Sequence, residues 1–207
     1  MASRTTSTNR RRPAGQKTHG ARPFRALIIL AVLSAVGVAS VFLLSDFFER
    51  GIREVSLPLR HENIIRQQAD EKGVDAALIA AVIYSESRFR DQTSPADARG
   101  LMQITPVTAK DIERLSGGTS FELEDLSDPE INIRYGTFYL AHLLDIYDGD
   151  LVAALAGYNA GPSNAAEWGG SQMTVDDITF DETRHYVQAV LEKQREYRHT
   201  YDLELGY

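Results

Sequence analysis

Glu86 is the residue of this chain best suited by type and position to do chemistry. It stands near the end of an apolar run from Asp75 to Phe89. Counting back by helical steps from Glu86 gives Ile83, Val82, Ile79 and Leu78. That spacing predicts a helix whose apolar stripe faces the core and carries Glu86 with it. A carboxyl group there loses water, and desolvation favours its neutral form. The negative end of the helix dipole pushes the same way. A carboxyl kept protonated near neutral pH is what a general acid requires. The same spacing also suits a Glu paired with Arg88 or Arg90, or one turned to water.

Other polar groups sit inside apolar frames. The stretch Gly100 to Pro106, GLMQITP, places the Gln103 amide between Met102 and Ile104. The stretch Gly157 to Gly161, GYNAG, places the Tyr158 phenol and the Asn159 amide at a helix end. The stretch Phe180 to Tyr186, FDETRHY, opens the last helix. Amides, phenols and carboxylates beside aromatic surface suit sugars, which offer hydroxyls at their edges and C–H groups on their faces. Each group also has a purely structural use. Gln103 can tie down its loop, Tyr158 and Asn159 can form a helix stop, and Glu182 fits a capping box with Thr179. The five His residues, at 19, 61, 142, 185 and 199, show no ligand spacing, so no metal site is expected. Asp145, Asp148 and Asp150 around Gly149 have the wrong spacing for an EF-hand and read as a turn. No phosphate-binding glycine loop and no GxSxG motif is present.

The elements that must hold these groups are helices with short connections. A helix from His61 to Lys72 stops at Gly73, and Asp75 caps the Glu86 helix. Residues 90–99 form a loop with Pro95, with room for a small hairpin between 90 and 104. Thr105-Pro106 and Asp128-Pro129 each pair an N-cap with proline in the first turn, opening helices to about Leu115 and Tyr147. Gly136 inside the second marks a close contact. Leu151 to Asn159 is a short apolar helix ended by Gly161-Pro162, and a long helix runs from Phe180 to Tyr201. The expected class is mainly α.

Charge divides the chain in two. Residues 1–45 hold seven Lys or Arg and no Asp or Glu, which leaves 15 basic and 29 acidic residues, a net −14, for 46–207. An acidic body repels phosphate, so no nucleic-acid partner is expected. Between tail and body, residues 26–45 form an uncharged apolar run of 20 residues. At about 1.5 Å per residue this spans roughly 30 Å, a bilayer's hydrocarbon thickness. The basic side should stay in the cytoplasm and the body face outward. The reading is a basic tail at 1–25, a membrane anchor at 26–45, a juxtamembrane connector at 46–57 and one domain at 58–207. A cleaved signal peptide, cut after Ala39 before Ser40, is the alternative. Without Cys there is no disulfide.

Taken together, the order Glu86-Ser87, Ser94-Pro95, Gly100-Leu-Met-Gln, Tyr158-Asn-Ala-Gly-Pro162 and Glu182-Thr-Arg-x-Tyr186-Val187 resembles the soluble lytic transglycosylase family of bacterial cell-wall enzymes, over roughly residues 60–200. The resemblance implies a lysozyme-like, goose-type, mainly helical catalytic domain acting on peptidoglycan glycan strands without a cofactor. It implies that Glu86 is the catalytic acid and base. It puts Ser94, Met102, Gln103, Tyr158, Asn159, Glu182 and Tyr186 along the sugar groove. In the implied scheme Glu86 protonates the glycosidic oxygen beside N-acetylmuramic acid. It then takes the proton of the 6-hydroxyl, giving a 1,6-anhydro end without consuming water. Tyr158 and Gln103 would position the substrate's acetamido group. This chain has Asp97 where the family often has Gly, and Gly157 where it often has Ala. A hydrolytic muramidase using Asp91 or Asp97, and a non-catalytic glycan-binding protein, are the alternative readings.

Overall fold

The computed structural model describes residues 54–117 and 122–207, together with 34, 36–38, 40, 41, 44 and 51. Most of the expected anchor at 26–45 and most of the connector therefore lie outside the described residues. No helix among the described residues is long and apolar enough to cross a membrane. The chain divides into two units, residues 1–52 and 53–207, and the second carries the fold described below.

Among the described residues of this unit eight α-helices follow in order: α1 (Glu62–Lys72), α2 (Ala76–Ser87), α3 (Pro106–Ser116), α4 (Pro129–Ile146), α5 (Leu151–Ala160), α6 (Pro162–Glu167), α7 (Asp181–Thr200) and α8 (Asp202–Leu205). Single 3-10 turns cover Leu123–Ser127, Gly170–Gln172 and Val175–Asp177. The expected caps at Asp75, Thr105 and Asp128 form, and Asp150, read from the sequence only as part of a turn, caps a helix as well. Asp75, Thr105, Asp128 and Asp150 accept the backbone N–H groups of Ala77, Thr108, Glu130 and Ala153 at 2.9, 3.1, 2.8 and 2.8 Å. Each such cap is worth about 1 kcal/mol.

Two differences from the expected helices bear on the site. First, α2 is not an amphipathic helix: every residue from Ala76 to Ile83 is buried. A helix apolar on all sides belongs in the middle of a fold. It packs chiefly on α7 and also on α1, while α5, buried from Ala153 to Gly157, packs on α4, α6 and α7. Second, α2 stops at Ser87. Arg88 and Phe89 both take left-handed backbone angles (φ 52° and 60°). The reversal sends Phe89 back into the core, 2% exposed, its ring 6.1 Å from that of Tyr197.

Gly161-Pro162 ends one helix and opens another, because proline is equally at home in a first turn. This short α6 escaped the sequence reading. The possible hairpin reduces to two isolated antiparallel bridges, Thr93 with Arg99 and Arg99 with Ile104. The end of the connector and the first residue of the body are fastened at three successive carbonyls. Tyr84, Tyr201 and Tyr197 donate their hydroxyls to Ser56, Leu57 and Pro58 at 3.0, 2.7 and 2.6 Å. Leu57 itself is buried.

Candidate active site

Glu86 lies in the last turn of α2, at the junction with α7. Its residue is partly accessible, but protein surrounds the carboxyl group closely enough to strip most of its water. Desolvation raises its pKa to about 7, and the neighbouring Tyr186 hydroxyl pulls back only partly. None of the ion pairs formed among the described residues includes Glu86, and no carboxylate contributes to its shift. Arg88, one of the two partners the sequence allowed, instead lies over the Tyr84 ring at 5.7 Å. The geometry therefore favours the proton-holding form of Glu86 over the ion-paired one.

Two phenols complete the surroundings of the carboxyl group. Tyr158, on α5, donates its hydroxyl to the Met102 carbonyl at 2.9 Å, and its ring meets Tyr139 at 5.7 Å. Tyr186, on α7, has a buried hydroxyl that closes no well-formed hydrogen bond and faces Glu86. Burial and then the Glu86 charge raise both phenol pKa values, so both hydroxyls keep their protons. An unsatisfied buried donor beside a carboxyl group is a ready partner for the charged form, or for a ligand oxygen.

The Gly100–Ile104 loop is fixed against this corner from two sides. The Ser87 hydroxyl, in contact with the Leu101 carbonyl at 2.7 Å, binds the end of α2 to the loop. Asn132, fully buried on α4, accepts the Met102 N–H at 2.8 Å and donates to the Arg99 and Leu126 carbonyls, each at 2.9 Å. Gly100 is needed on two counts. Its φ is 73°, and a Cβ there would fall 2.1 Å from the Asn132 amide nitrogen. Asn132 went unnoticed in the sequence. The available signal was a polar residue between Ile131 and Ile133 in the first turn of an apolar helix.

The residues expected to line a sugar groove are placed unequally. Met102 is fully buried, packed where a Cβ on Gly136 would come within 2.4 Å of its sulfur. The close contact signalled by Gly136 is thus with a loop side chain, and Met102 faces the core, leaving its carbonyl to meet Tyr158. Gln103 is half-buried, and its amide nitrogen donates to the Gln92 and Gly100 carbonyls at 3.0 and 2.8 Å. Only its amide oxygen remains for a ligand. The Ser94 hydroxyl accepts from Ala96 and Ala98 N–H groups at 3.2 and 3.1 Å and shapes its own loop. Asn159 is exposed and accepts from the Thr183 hydroxyl at 2.8 Å, joining the end of α5 to the first turn of α7. Glu182 is exposed and caps nothing: α7 starts after Phe180 without a side-chain cap, which puts Glu182 one position too early for a box with Thr179.

The two departures noted in the sequence have physical explanations. Asp97 takes φ 59°, a left-handed position that Gly fills freely and Asp tolerates. Its exposed carboxylate pairs with Arg99 at 3.2 Å. At Gly157 a Cβ would come within 3.2 Å of Leu143 and 3.3 Å of Tyr147, so this chain uses the space for larger neighbours.

Residues 63–180 match the family model described as "Transglycosylase SLT domain". The soluble lytic murein transglycosylases of Salmonella typhimurium and Escherichia coli K12 are 32% and 31% identical over 160 and 155 residues. In each case the match covers 70% of this chain and 24% of the relative. The chain thus spans about a quarter of the length of these curated relatives. The membrane-bound lytic murein transglycosylase C of Cronobacter sakazakii is 38% identical over 113 residues, covering 49% of this chain and 31% of the relative. Among solved structures, an inactive mutant of the lytic transglycosylase Slt from Pseudomonas aeruginosa superposes with a TM-score of 0.67 at 32% identity, over 72% of this chain and 26% of that one. The 70 kDa soluble lytic transglycosylase of Escherichia coli gives 0.67 at 31% identity, over 71% and 25%.

Proposed function

The chain belongs to the transglycosylase SLT domain family, and on that premise we propose that it is a peptidoglycan lytic transglycosylase in which Glu86 serves as acid and then base. The observation that carries the reading is a single desolvated carboxyl group, with a pKa near 7, that has no carboxylate partner. A hydrolytic glycosidase of ordinary type divides its work between two carboxylates. A single residue suffices when the nucleophile that closes the reaction belongs to the substrate.

Protonated Glu86 gives its proton to the glycosidic oxygen between N-acetylmuramic acid and N-acetylglucosamine. The acetamido oxygen of the substrate stabilises the positive charge that develops at the anomeric carbon. Glu86, now a carboxylate, gains a hydrogen bond from Tyr186, whose hydroxyl has no other partner. It then accepts the proton of the 6-hydroxyl as that oxygen bonds to the anomeric carbon. The ring closes to a 1,6-anhydro end and Glu86 recovers its starting proton. Tyr158 and Gln103 border the acetamido position, Gln103 through its free amide oxygen and Tyr158 through its phenol. Ser94 supports the loop over the groove, while Asn159 and Glu182 meet the glycan along its far wall.

The reading includes an anchor at residues 26–45, with the body outside the cytoplasm. Its support is the uncharged run after a basic tail. A relative bearing the name membrane-bound lytic murein transglycosylase agrees with it. The test is digestion of purified peptidoglycan followed by mass spectrometry. Muropeptides lighter by one water than the hydrolysed forms are expected. Reducing, hydrated ends would replace this reading with a muramidase, and wild-type protein without any cleavage would leave a glycan-binding protein.

A further inference from the structure

The helix that carries Glu86 has a second polar end. α2 and α7 run antiparallel: Asp75, just before α2, meets the last turns of α7, while Glu86, in the last turn of α2, meets Tyr186 near the start of α7. Between these ends α2 packs through small and apolar side chains. Ala76, Ala77, Ala80 and Ala81 are buried along with Leu78, Ile79, Val82 and Ile83. Apolar contact is non-directional. Methyl-sized side chains also raise only shallow ridges against a neighbouring helix, and shallow ridges resist sliding weakly. The axial register of the pair therefore depends on directional bonds.

Asp75 supplies them. One of its oxygens caps α2 at the Ala77 N–H, 2.9 Å away, and accepts the Tyr207 hydroxyl, which itself accepts from the same N–H at 2.9 Å. The other oxygen accepts the Gln194 amide N–H at 2.7 Å and pairs with the Arg198 guanidinium. Gln194 and Arg198 stand one turn apart on α7, and the Arg198 guanidinium also covers the Tyr207 ring at 4.6 Å. Burial pushes the Asp75 carboxyl up, but the bonds from Tyr207, Gln194 and Arg198 together hold it below its ordinary value. It is therefore ionised throughout the range in which Glu86 titrates. A cap needs only a backbone N–H, so the donors from α7 and Tyr207 serve something more. The spacing shows what. At 1.5 Å per residue Asp75 lies about 17 Å along α2 from Glu86, and Gln194 and Arg198 lie about 12 and 18 Å along α7 from Tyr186. The two polar clusters are opposite ends of one helix pair, and a slip at the first is a slip of equal length at the second.

We propose that Asp75 is a positioning residue: with Gln194, Arg198 and Tyr207 it pins the register of α2 against α7 and so fixes how deeply the Glu86 carboxyl group sits against Tyr186. It acts on cleavage through Glu86, and in that respect the proposal rests on the glycan-cleaving reading above. Its effect on the burial of Glu86 is independent of any substrate.

The experiment follows the Glu86 titration itself, by carbon NMR of full-length protein in detergent labelled at the Glu side-chain carboxyl carbons. The Glu86 signal is the one missing from Glu86→Gln. Two variants loosen the pin. Asp75→Asn keeps the cap, since Asn caps as well as Asp, but turns an amide N–H toward Gln194 and Arg198. Arg198→Met, at a half-exposed position, keeps an apolar stem and leaves the cap untouched, which covers the case in which Asp75→Asn fails to fold. Each should admit water to the Glu86 carboxyl group and lower its midpoint from about 7 toward 4.5, by about half a pH unit or more. Each should also lower kcat on purified peptidoglycan with KM kept, by up to about 10²-fold, the cost of an ångström of misplacement. Ile112→Val, at a buried position on α3, controls for lost stability alone: Tm falls, while the Glu86 midpoint and kcat stay. A lowered Tm in both pin variants with the Glu86 midpoint unchanged would overturn the pin and leave Asp75 an ordinary cap. A lowered midpoint with kcat unchanged would overturn its part in cleavage. Wild-type protein that cleaves nothing would remove the glycan reading, and the midpoint alone would then decide the pin.

Discussion

Replacing Glu86 with Gln removes the proton but keeps the shape, and its effect on stability follows from the pKa. In the folded protein Glu86 titrates at about 7, against 4.5 for an ordinary Glu side chain. The folded state therefore holds this proton more tightly than the unfolded chain does. Below pH 4.5 both states are protonated and the residue costs nothing. As pH rises from 4.5 to 7 the unfolded chain ionises first, and wild-type stability falls. Above pH 7 the loss is complete. The difference of roughly 2.5 units corresponds to about 3 kcal/mol. Gln pays no such cost. The variant should match wild type near pH 4 and exceed it by up to about 3 kcal/mol at pH 8, or about 6–12 °C in Tm for a domain of this size. Paired thermal or urea unfolding of the two proteins across pH 4–8 measures this directly. A difference that stays flat with pH would refute the desolvated-acid account, whatever the activity does. On the activity side, the variant should lose about 10²–10⁴-fold in bond cleavage while still binding glycan. Wild-type activity should fall about tenfold per pH unit above 7 as the acid form is depleted.

Asn132→Ala strands the Met102 N–H and two carbonyls, so it should lower stability by about 3 kcal/mol or more in denaturant unfolding and disorder the loop that carries Gln103. Glu182→Gln should leave unfolding midpoints unchanged, since Glu182 caps nothing, and lower glycan cleavage; unaltered cleavage would remove it from the groove. Asp97→Gly should preserve both fold and cleavage product, because the backbone angle there suits Gly and the carboxylate serves only Arg99; a changed product ratio would implicate Asp97 in the chemistry. Full-length protein should fractionate with membranes, and a version starting near Ser56 should be soluble and folded. Recovery of soluble protein whose first residue is near Ser40 would show a cleaved signal instead.

The helix frame was legible because its punctuation is local. Asp75, Thr105-Pro106 and Asp128-Pro129 act within three residues, and all three form as the sequence indicates. Glu86 was legible for the same reason, since a lone carboxyl group in an apolar run stands out at any distance. What stayed hidden depends on partners far along the chain. Whether Met102 faces the groove or the core is decided by Gly136, 34 positions later. Whether Tyr158 and Gln103 keep free donors is decided by the carbonyls of Met102, Gln92 and Gly100. The Thr179–Glu182 spacing resembled a capping box, yet the helix begins one residue later than that box needs. Arg88 looked like a partner for Glu86, but the left-handed turn at Arg88 and Phe89 carries its side chain to Tyr84 instead.

The three tyrosine hydroxyls on Ser56, Leu57 and Pro58 also define how the body responds to a pull. Tyr84 belongs to α2, two residues before Glu86, whereas Tyr197 and Tyr201 belong to α7 and its end. Tension arriving through residues 56–58 is therefore divided between the two helices that carry Glu86 and Tyr186. Both helices that flank the acid thus share the attachment. Under the proposed reading, with an anchor before the connector and a polymeric substrate, such forces would act on the body. Loss of any one of the three hydroxyls would leave the load on one helix more than on the other.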